Sequence, residues 1–258
     1  MTVPLHVRRI GAGAPMLVLL HGLGANGAVW EQFASLLTRW PGQILIPDLR
    51  GHGLSPRGDR YAESDHADDV AALLQDSSDI YIVGHSMGGM IALLLAAPSR
   101  KLRVRAVFAF GVKASWTADD IDKALAVAAR PVKRFATREE AAERFLLVSG
   151  LKGLVEADAA VVQAGVAATG DGFSLSADPR TMAAVGGSLA NAFSGARSIS
   201  RLACGGRDPL VTIDQLRAID PRAIALGDCG HNPHVENPEL LLAAIPFLAT
   251  DGEENPKR

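Results

Sequence analysis

The stretch "IYIVGHSMGGMIALLLAA", residues 80–97, changes from a short β-branched run to a longer apolar run, with a serine at the junction. The first run predicts a buried strand and the second predicts a helix. Gly84 and Gly88 stand two residues on either side of Ser86. A strand that turns directly into a helix strains its central residue and leaves no room for bulky neighbours. The stretch therefore predicts a sharp turn that presents the Ser86 hydroxyl above the end of a sheet.

Short apolar runs alternate with helical patterns along most of the chain. The runs that predict strands are "MLVLL" (16–20), "QILIPD" (43–48), "IYIVG" (80–84), "VRAVFAFG" (104–111), "SISRLACGG" (198–206) and "RAIALGD" (222–228). Near the end, "NPELLLAAIPFL" predicts a helix with Asn237 as its N-cap and Pro238 in the first helical position. Strands that alternate with helices favour a mainly parallel sheet that is covered on both faces.

Residues 114–190 interrupt this alternation. They are rich in alanine and other helix-forming residues and contain no clear strand pattern. We therefore predict a helical cap at 114–190, inserted into a core made of residues 1–113 and 191–250. The polar stretch 251–258 is predicted to be a disordered tail.

Composition restricts the class of protein. The 258 residues are 48% hydrophobic and 21% charged, with a formal net charge of −2, which is typical of a globular protein. Nothing in this charge favours nucleic acid or an anionic membrane as a partner. The N-terminus lacks a signal-peptide pattern, and no apolar run reaches the roughly 18 residues that span a bilayer. Cys204 and Cys229 are too few for a disulfide framework, so we expect a cytoplasmic protein with reduced thiols, either a monomer or a homodimer.

Three further segments follow predicted strands: "LLHGLGANG" (19–27), "GGRDPLV" (205–211) and "GDCGHNPHVENPE" (227–239). The second contains Asp208 and the third contains His231, so Ser86, Asp208 and His231 follow the chain order of a hydrolase triad on this kind of sheet. That chemistry needs a serine nucleophile, a histidine that takes and returns its proton, and an acid that orients the imidazole. The backbone N–H groups of Leu23 and Met87 are predicted to receive the developing oxyanion.

Other polar residues compete for these roles. His85 is adjacent to Ser86, but neighbouring side chains on a strand point to opposite faces, which argues against a direct contact. His234 follows His231 by three residues and is interpreted as a loop histidine at the pocket rim. Asp228 precedes Gly230 and is interpreted as a turn residue.

The chain resembles the α/β-hydrolase superfamily over nearly its whole length, apart from the insertion. The segments that carry the resemblance are "HGLG" (21–24), "PDLRGHGLS" (47–55), "GHSMGG" (84–89), "GGRDPLV" and "GHNPHVENPE" (230–239). The resemblance implies a mostly parallel, eight-stranded sheet with helices on both faces and an inserted helical cap. It also implies the roles proposed above for the triad and the two N–H groups. Asp48 and Arg50 are expected to brace the site rather than to react.

The resemblance is strongest to small-molecule esterases, enol-lactonases and cofactor-free haloperoxidases. Serine in place of an aspartate nucleophile argues against haloalkane dehalogenases and epoxide hydrolases. We therefore predict hydrolysis of a small, mostly apolar ester or lactone through an acyl-enzyme on Ser86. No metal-ligand spacing or phosphate loop is present, so no metal or other cofactor is expected. The aromatic side chains predicted to line the substrate pocket are Trp30, Trp116, Phe135, Phe145 and Phe173.

Two alternatives remain open. The first is a carbon–carbon bond hydrolase with the same triad, for which Arg130, Lys133 and Arg134 in the insertion would bind a substrate carboxylate. The second is a ligand receptor on the same fold that signals to a partner without turnover. Multiple turnover of p-nitrophenyl esters would favour the enzyme, and capture of a ligand-dependent partner would favour the receptor.

Overall fold

The computed structural model describes residues 1–75, 77, 79–196 and 198–248, so the predicted tail at 251–258 lies outside the described residues. The strands are β1 (Val7–Ile10), β2 (Met16–Leu20), β3 (Gln43–Pro47), β4 (Ile80–His85), β5 (Val104–Phe110), β6 (Val166–Thr169), β7 (Gly172–Leu175), β8 (Ile199–Gly205) and β9 (Ile224–Leu226). The helices are α1 (Glu31–Leu36), α2 (Glu63–Leu74), α3 (Met87–Leu95), α4 (Ala118–Ala128), α5 (Arg138–Val148), α6 (Ala160–Gly165), α7 (Leu189–Gly195), α8 (Ile213–Arg217), α9 (Pro233–Glu236) and α10 (Pro238–Ala244).

The main sheet has the strand order β1-β3-β2-β4-β5-β8-β9. All its neighbouring strands are parallel except β1, which pairs antiparallel with β3. The six strands predicted from the sequence are present. The described residues form seven strands in this sheet rather than the eight that we expected. We did not predict strand β1, because this short edge strand has no apolar run. Its two central residues, Arg8 and Arg9, are exposed.

Side chains from the central strands enter two hydrophobic cores, one on each face of the sheet. Along β2, Val18 and Leu20 belong to the core beneath α2, α3 and α7, whereas Leu17 and Leu19 belong to the core beneath α1 and α10. The alternation follows from the two-residue period of a strand, and burial on both faces explains the uninterrupted apolar sequence. The carboxyl ends of the parallel strands are therefore left as the edge where polar loops meet.

We predicted a helical insertion, but the inserted segment also contains strands. Strands β6 and β7 form an antiparallel hairpin within it, and Thr169 pairs with Gly172 across the turn. The turn has the sequence Gly-Asp-Gly, residues 170–172. Gly172 adopts a φ of 136°, a conformation that favours glycine. The flanking alanines have no strand preference of their own, so the pairing depends on contacts elsewhere in the fold. The domain boundaries at 114 and 190 stay predictions.

Only Ser86 separates the end of β4 from the start of α3. Ser86 adopts a φ of 51° and a ψ of −117°, outside the conformations that side chains normally allow. A methyl group at Gly84 would lie 2.7 Å from the Cα of Gly89, and one at Gly88 would lie 2.7 Å from the carbonyl carbon of Leu20. Both contacts are with backbone atoms, so only glycine lets α3 start this close to β4 and β2.

We predict that Gly88→Ala lowers the free energy of unfolding by about 1–3 kcal/mol, because the added methyl group must displace backbone of β2. Urea denaturation followed by circular dichroism measures the change. Gly195→Ala is the matched control, since nothing lies within 4 Å of a methyl group at the end of α7. Equal midpoints for the two variants would contradict this account of the turn.

Candidate active site

The loops that follow β8 and β9 bring an acid and an imidazole together. The Nδ1 atom of His231 lies 2.9 Å from Oδ2 and 3.1 Å from Oδ1 of Asp208. The Asp208 carboxylate is fully buried, whereas 18% of the His231 side chain is exposed. An N–H at Nδ1 therefore donates to the carboxylate, and this tautomer leaves Nε2 able to accept a proton.

Ser86 lies at the same edge of the sheet. Its backbone N–H donates to the carbonyl of Phe110 at 2.8 Å, which joins the turn to the end of β5. The next residue, Gly111, borders the imidazole, because a methyl group there would lie 3.2 Å from Cε1 of His231. The structure thus places Ser86 and the His231–Asp208 pair around the ends of neighbouring strands.

Backbone hydrogen bonds between the two loops fix the position of the acid. The N–H of Gly206 donates to the carbonyl of Gly227 at 3.0 Å, and the N–H of Arg207 donates to the carbonyl of Cys229 at 2.9 Å. Asp208 Oδ1 also accepts the N–H of Leu210 at 2.9 Å. These bonds align the loop after β8 with the loop after β9, which sets the distance between the carboxylate and the imidazole.

Residues 21–24, called loop 21–24 below, pack directly against the turn at Ser86. A methyl group at Gly22 would lie 3.3 Å from the Cβ of Ser86. Leu23 follows in this loop, and Met87 is the first residue of α3. Within the described chain, neither of their N–H groups donates to a backbone or side-chain acceptor. Free N–H groups on both sides of a serine are the arrangement that receives an oxyanion.

Two buried histidines flank Leu23. His21 donates from Nδ1 to the carbonyl of Gly22 at 2.8 Å and accepts the N–H of Leu49 at Nε2 at 2.9 Å. His52 accepts the N–H of Gly24 at Nε2 at 3.2 Å. The peptide groups before and after Leu23 are therefore both bonded to imidazoles. Both histidines lie in the quoted motifs, but we assigned neither a role from the sequence.

Asp48 and Arg50, which we expected to brace the site, bond to neighbouring loops and to α2. Asp48 accepts the N–H of Gly27 at 2.6 Å and the N–H of Leu54 at 2.8 Å. Arg50 forms a buried two-pronged ion pair with Asp69, with distances of 2.5 and 2.7 Å. Both charged groups are therefore paired or hydrogen-bonded within the protein, where they stabilise loops.

The residues predicted to line the pocket lie in different surroundings. Trp30 and Phe145 are fully buried in the core beneath α1, so they fill that core and present no surface to a ligand, contrary to the prediction. Phe135 and Phe173 pair through their backbones at the edge of the hairpin. Trp116 is half-buried, with Lys113 Nζ 4.6 Å from its ring centroid.

The competing histidines are buried beside the imidazole of His231. His85 donates from Nε2 to the backbone carbonyl of His231 at 2.8 Å. His234 is fully buried between Trp30 and His85, whose ring centroids lie 4.7 and 4.6 Å from its own. Our interpretation of His234 as a residue at the pocket rim was therefore wrong. Asp228 is exposed, and its backbone carbonyl accepts a hydrogen bond from Arg207 Nε at 2.6 Å.

Across the described ranges, no cluster of three or more His, Cys, Asp or Glu side chains is arranged to bind a metal ion. The same ranges contain no helix of the length and apolarity needed to cross a bilayer. Cys204 and Cys229 are both free and buried, and burial raises the pKa of the Cys204 thiol to about 11. That thiol is therefore protonated and inert at neutral pH.

Known proteins resemble this chain in sequence and in fold. The sequence profile described as the alpha/beta hydrolase family matches residues 17–244. The chain belongs to the α/β-hydrolase family. Among curated α/β-hydrolase relatives, the lipase LipV of Mycobacterium tuberculosis is 40% identical over 100 residues, which cover 38% of each chain. A pimeloyl-[acyl-carrier protein] methyl ester esterase of Vibrio campbellii is 41% identical over 107 residues, which cover 39% of each chain. The chain thus spans less than half the length of these relatives.

Solved α/β-hydrolase structures match almost the full chain. E-2-(acetamidomethylene)succinate hydrolase superposes with a TM-score of 0.78 and 26% identity, covering 95% of this chain and 94% of that one. A thioesterase domain from the curacin biosynthetic pathway superposes with a TM-score of 0.74 and 18% identity, covering 91% of this chain and 92% of that one. At 18% identity, the similarity to the thioesterase domain shows a shared fold alone.

Burial lowers the pKa of five histidines, to about 3 for two of them. The five are His21, His52, His66, His85 and His234, of which His66 and His234 have the values near 3. An unfolded histidine binds a proton near pH 6.5. Below that pH the unfolded chain therefore takes up more protons than the folded chain, which favours unfolding.

We predict full stability above about pH 6.5 and a steep loss below it, with each buried histidine contributing up to about 1.4 kcal/mol per pH unit. Urea midpoints between pH 7.5 and 4.5 measure the slope. His66→Phe removes one buried histidine outside the site and should make the slope shallower. An unchanged slope in this variant would argue against a contribution from that ring.

Proposed function

We propose that this α/β-hydrolase cleaves a carboxylic ester or lactone of a small, mostly apolar substrate through an acyl-enzyme on Ser86. The observation that carries the proposal is the 2.9 Å contact between His231 and the fully buried Asp208, at the sheet edge where Ser86 occupies its strained turn. A buried acid that orients a partly exposed imidazole beside a serine is the arrangement that activates a hydroxyl.

In the first half of the reaction, Ser86 Oγ attacks the carbonyl carbon while His231 Nε2 takes the hydroxyl proton. The carbonyl oxygen becomes an oxyanion between the N–H groups of Leu23 and Met87, each of which contributes about 3 kcal/mol to its stabilisation. The tetrahedral intermediate then collapses, the bond to the alcohol oxygen breaks, and the imidazolium protonates the departing alkoxide. An acyl group is left on Ser86.

In the second half, water replaces the alcohol. His231 takes a proton from the water as its oxygen attacks the acyl carbon, and the same two N–H groups stabilise the second oxyanion. Collapse of this intermediate breaks the bond to Ser86 Oγ, which recovers its proton from the imidazolium. The carboxylic acid leaves and the three side chains return to their starting states. Asp208 stays ionised throughout, because its part is to stabilise the imidazolium.

The names of the relatives support an ester as substrate, and the surface of the insertion supports an apolar one. LipV and the pimeloyl-[acyl-carrier protein] methyl ester esterase are named for ester hydrolysis, although each aligns over less than half its length. At the end of α5, Val148 Cγ1 lies 3.1 Å from the position of a methyl group at Gly24. Leu147 and Leu154 are exposed nearby in sequence. An apolar side chain thus borders loop 21–24.

The carbon–carbon bond alternative needs a cation for a substrate carboxylate, and the contacts of the candidate residues do not favour it. Arg130, Lys133 and Arg134 are exposed. Lys133 Nζ lies 5.0 Å from the centroid of the Phe135 ring, and Arg134 lies 3.5 Å from Asp171. We therefore retain the ester or lactone as the proposed substrate class.

We predict that Ser86→Ala lowers kcat/KM for short p-nitrophenyl esters by roughly 10⁴-fold or more, because the nucleophile is lost. Ser35→Ala, at an exposed helix position, is the control and should keep wild-type rates. The same panel should include lactones and β-diketones, to separate the substrate classes. Equal rates in the two variants would contradict the mechanism. A wild-type protein that shows no multiple turnover would favour the receptor.

Asp208→Asn should lower kcat by about 10³- to 10⁴-fold without unfolding the protein, because an amide in place of the carboxylate favours the wrong imidazole tautomer. Asp228→Asn makes the same chemical change in the exposed turn before His231, at a carboxylate that is not bonded to the imidazole. This control variant should keep the wild-type kcat. Steady-state kinetics with a short ester measure both variants. A wild-type kcat in Asp208→Asn would exclude Asp208 as the triad acid.

A further inference from the structure

One carboxylate accepts the backbone N–H groups of the two residues that flank His231. Glu236 Oε2 accepts the N–H of Gly230 at 2.6 Å, and Glu236 Oε1 accepts the N–H of Asn232 at 2.9 Å. Both donors lie in residues 227–232, called loop 227–232 below, which connects β9 to α9 without strand pairing of its own. The two oxygens therefore bracket the residue that the proposed mechanism uses as its base.

The short helix α9 returns Glu236 to this position. The backbone N–H groups of Val235 and Glu236 both donate to the carbonyl of Asn232 at 2.9 Å, so one helical turn brings the glutamate back over the loop. Gly230 leaves space for it, because a methyl group there would lie 3.2 Å from Glu236 Oε1. A glycine before His231 and a glutamate five residues after it are the sequence features of this arrangement.

The carbonyl of His231 is fixed independently. It accepts the Nε2–H of the buried His85 at 2.8 Å. The backbone N–H groups of the two residues that flank His231, and the carbonyl of His231 itself, are thus each bonded to a side chain that does not belong to the triad. Asp208 binds the ring at Nδ1 but leaves the position of the backbone undetermined, so the loop contacts decide where Nε2 lies relative to Ser86.

We propose that Glu236 is a positioning residue for His231, and that its carboxylate fixes loop 227–232 so that the imidazole can serve both Ser86 and the leaving group. This inference rests on the proposed hydrolase function. A carboxylate suits the task because both of its oxygens only accept, whereas an amide presents an NH₂ group to one of the two N–H donors. A displacement of about 1 Å at a reacting group can cost about 10²-fold in rate.

The test compares Glu236→Gln with Glu239→Gln, which makes the same change at an exposed position in the first turn of α10. Glu236→Gln is expected to lower kcat for a p-nitrophenyl ester by about 10- to 100-fold with little change in KM, because substrate binding does not use the loop contacts. Glu239→Gln is expected to keep wild-type kinetics. Circular dichroism establishes a temperature at which all variants are folded.

A second measurement does not depend on turnover. In the wild type, the Nδ1 proton shared between His231 and Asp208 should give a protected low-field proton NMR signal, which Asp208→Asn should abolish. Glu236→Gln should broaden that signal or speed its exchange with water, and should slow labelling of Ser86 by a fluorophosphonate. If the wild type hydrolyses no ester, the proposed function fails, while the NMR comparison still decides the part played by Glu236.

A wild-type kcat and an unchanged low-field signal in Glu236→Gln would overturn the proposal. So would a lower melting temperature with unchanged kcat in the folded protein, since that result would give Glu236 a purely structural part. A lower kcat together with an altered signal, absent from Glu239→Gln, would support it.

Discussion

The close approach of α3 to strands β4 and β2 is the constraint on which the rest of the site depends. Without side chains at Gly84 and Gly88, the helix begins against the backbone of both strands. The turn then forces Ser86 to a φ of 51°, a conformation that costs on the order of 1–3 kcal/mol and persists only because the surrounding sheet imposes it. The same geometry presents the hydroxyl of Ser86 and the free N–H of Met87 at one point.

Residues that take no part in the proposed chemistry fix the loops around that point. His21 and His52 bond the peptide groups beside Leu23, and Glu236 accepts the backbone N–H groups of Gly230 and Asn232, which flank His231. The two loop histidines act as acceptors at Nε2, a role that requires neutral rings, and burial favours the neutral form by lowering their pKa values. The contacts beside Leu23 and the predicted acid sensitivity of the fold therefore have a common origin in buried imidazoles.

The inserted segment is bonded directly to both loops. Asn26, just after loop 21–24, donates from its amide to the carbonyl of Val161 in α6 at 2.8 Å. Asn232 donates to the carbonyl of Gly150, just after α5, at 3.1 Å. Because both asparagines are buried, a displacement of these parts of the insertion would break hydrogen bonds next to Leu23 and His231. The position of the insertion and the geometry of the site are therefore coupled through these two amides.

The sequence by itself determined the features that depend on local residue order: six strands, the turn at Ser86, the order of Ser86, Asp208 and His231, and the Asn237 cap of α10. Tertiary structure decided the features whose neighbours are distant in the chain. The hairpin of β6 and β7 forms only through pairing, Trp30 and Phe145 fill a core that no single segment defines, and the partners of His21 and Glu236 are peptide groups. A backbone N–H has no sequence signature, so the contacts that place the reacting groups appear only when the loops meet.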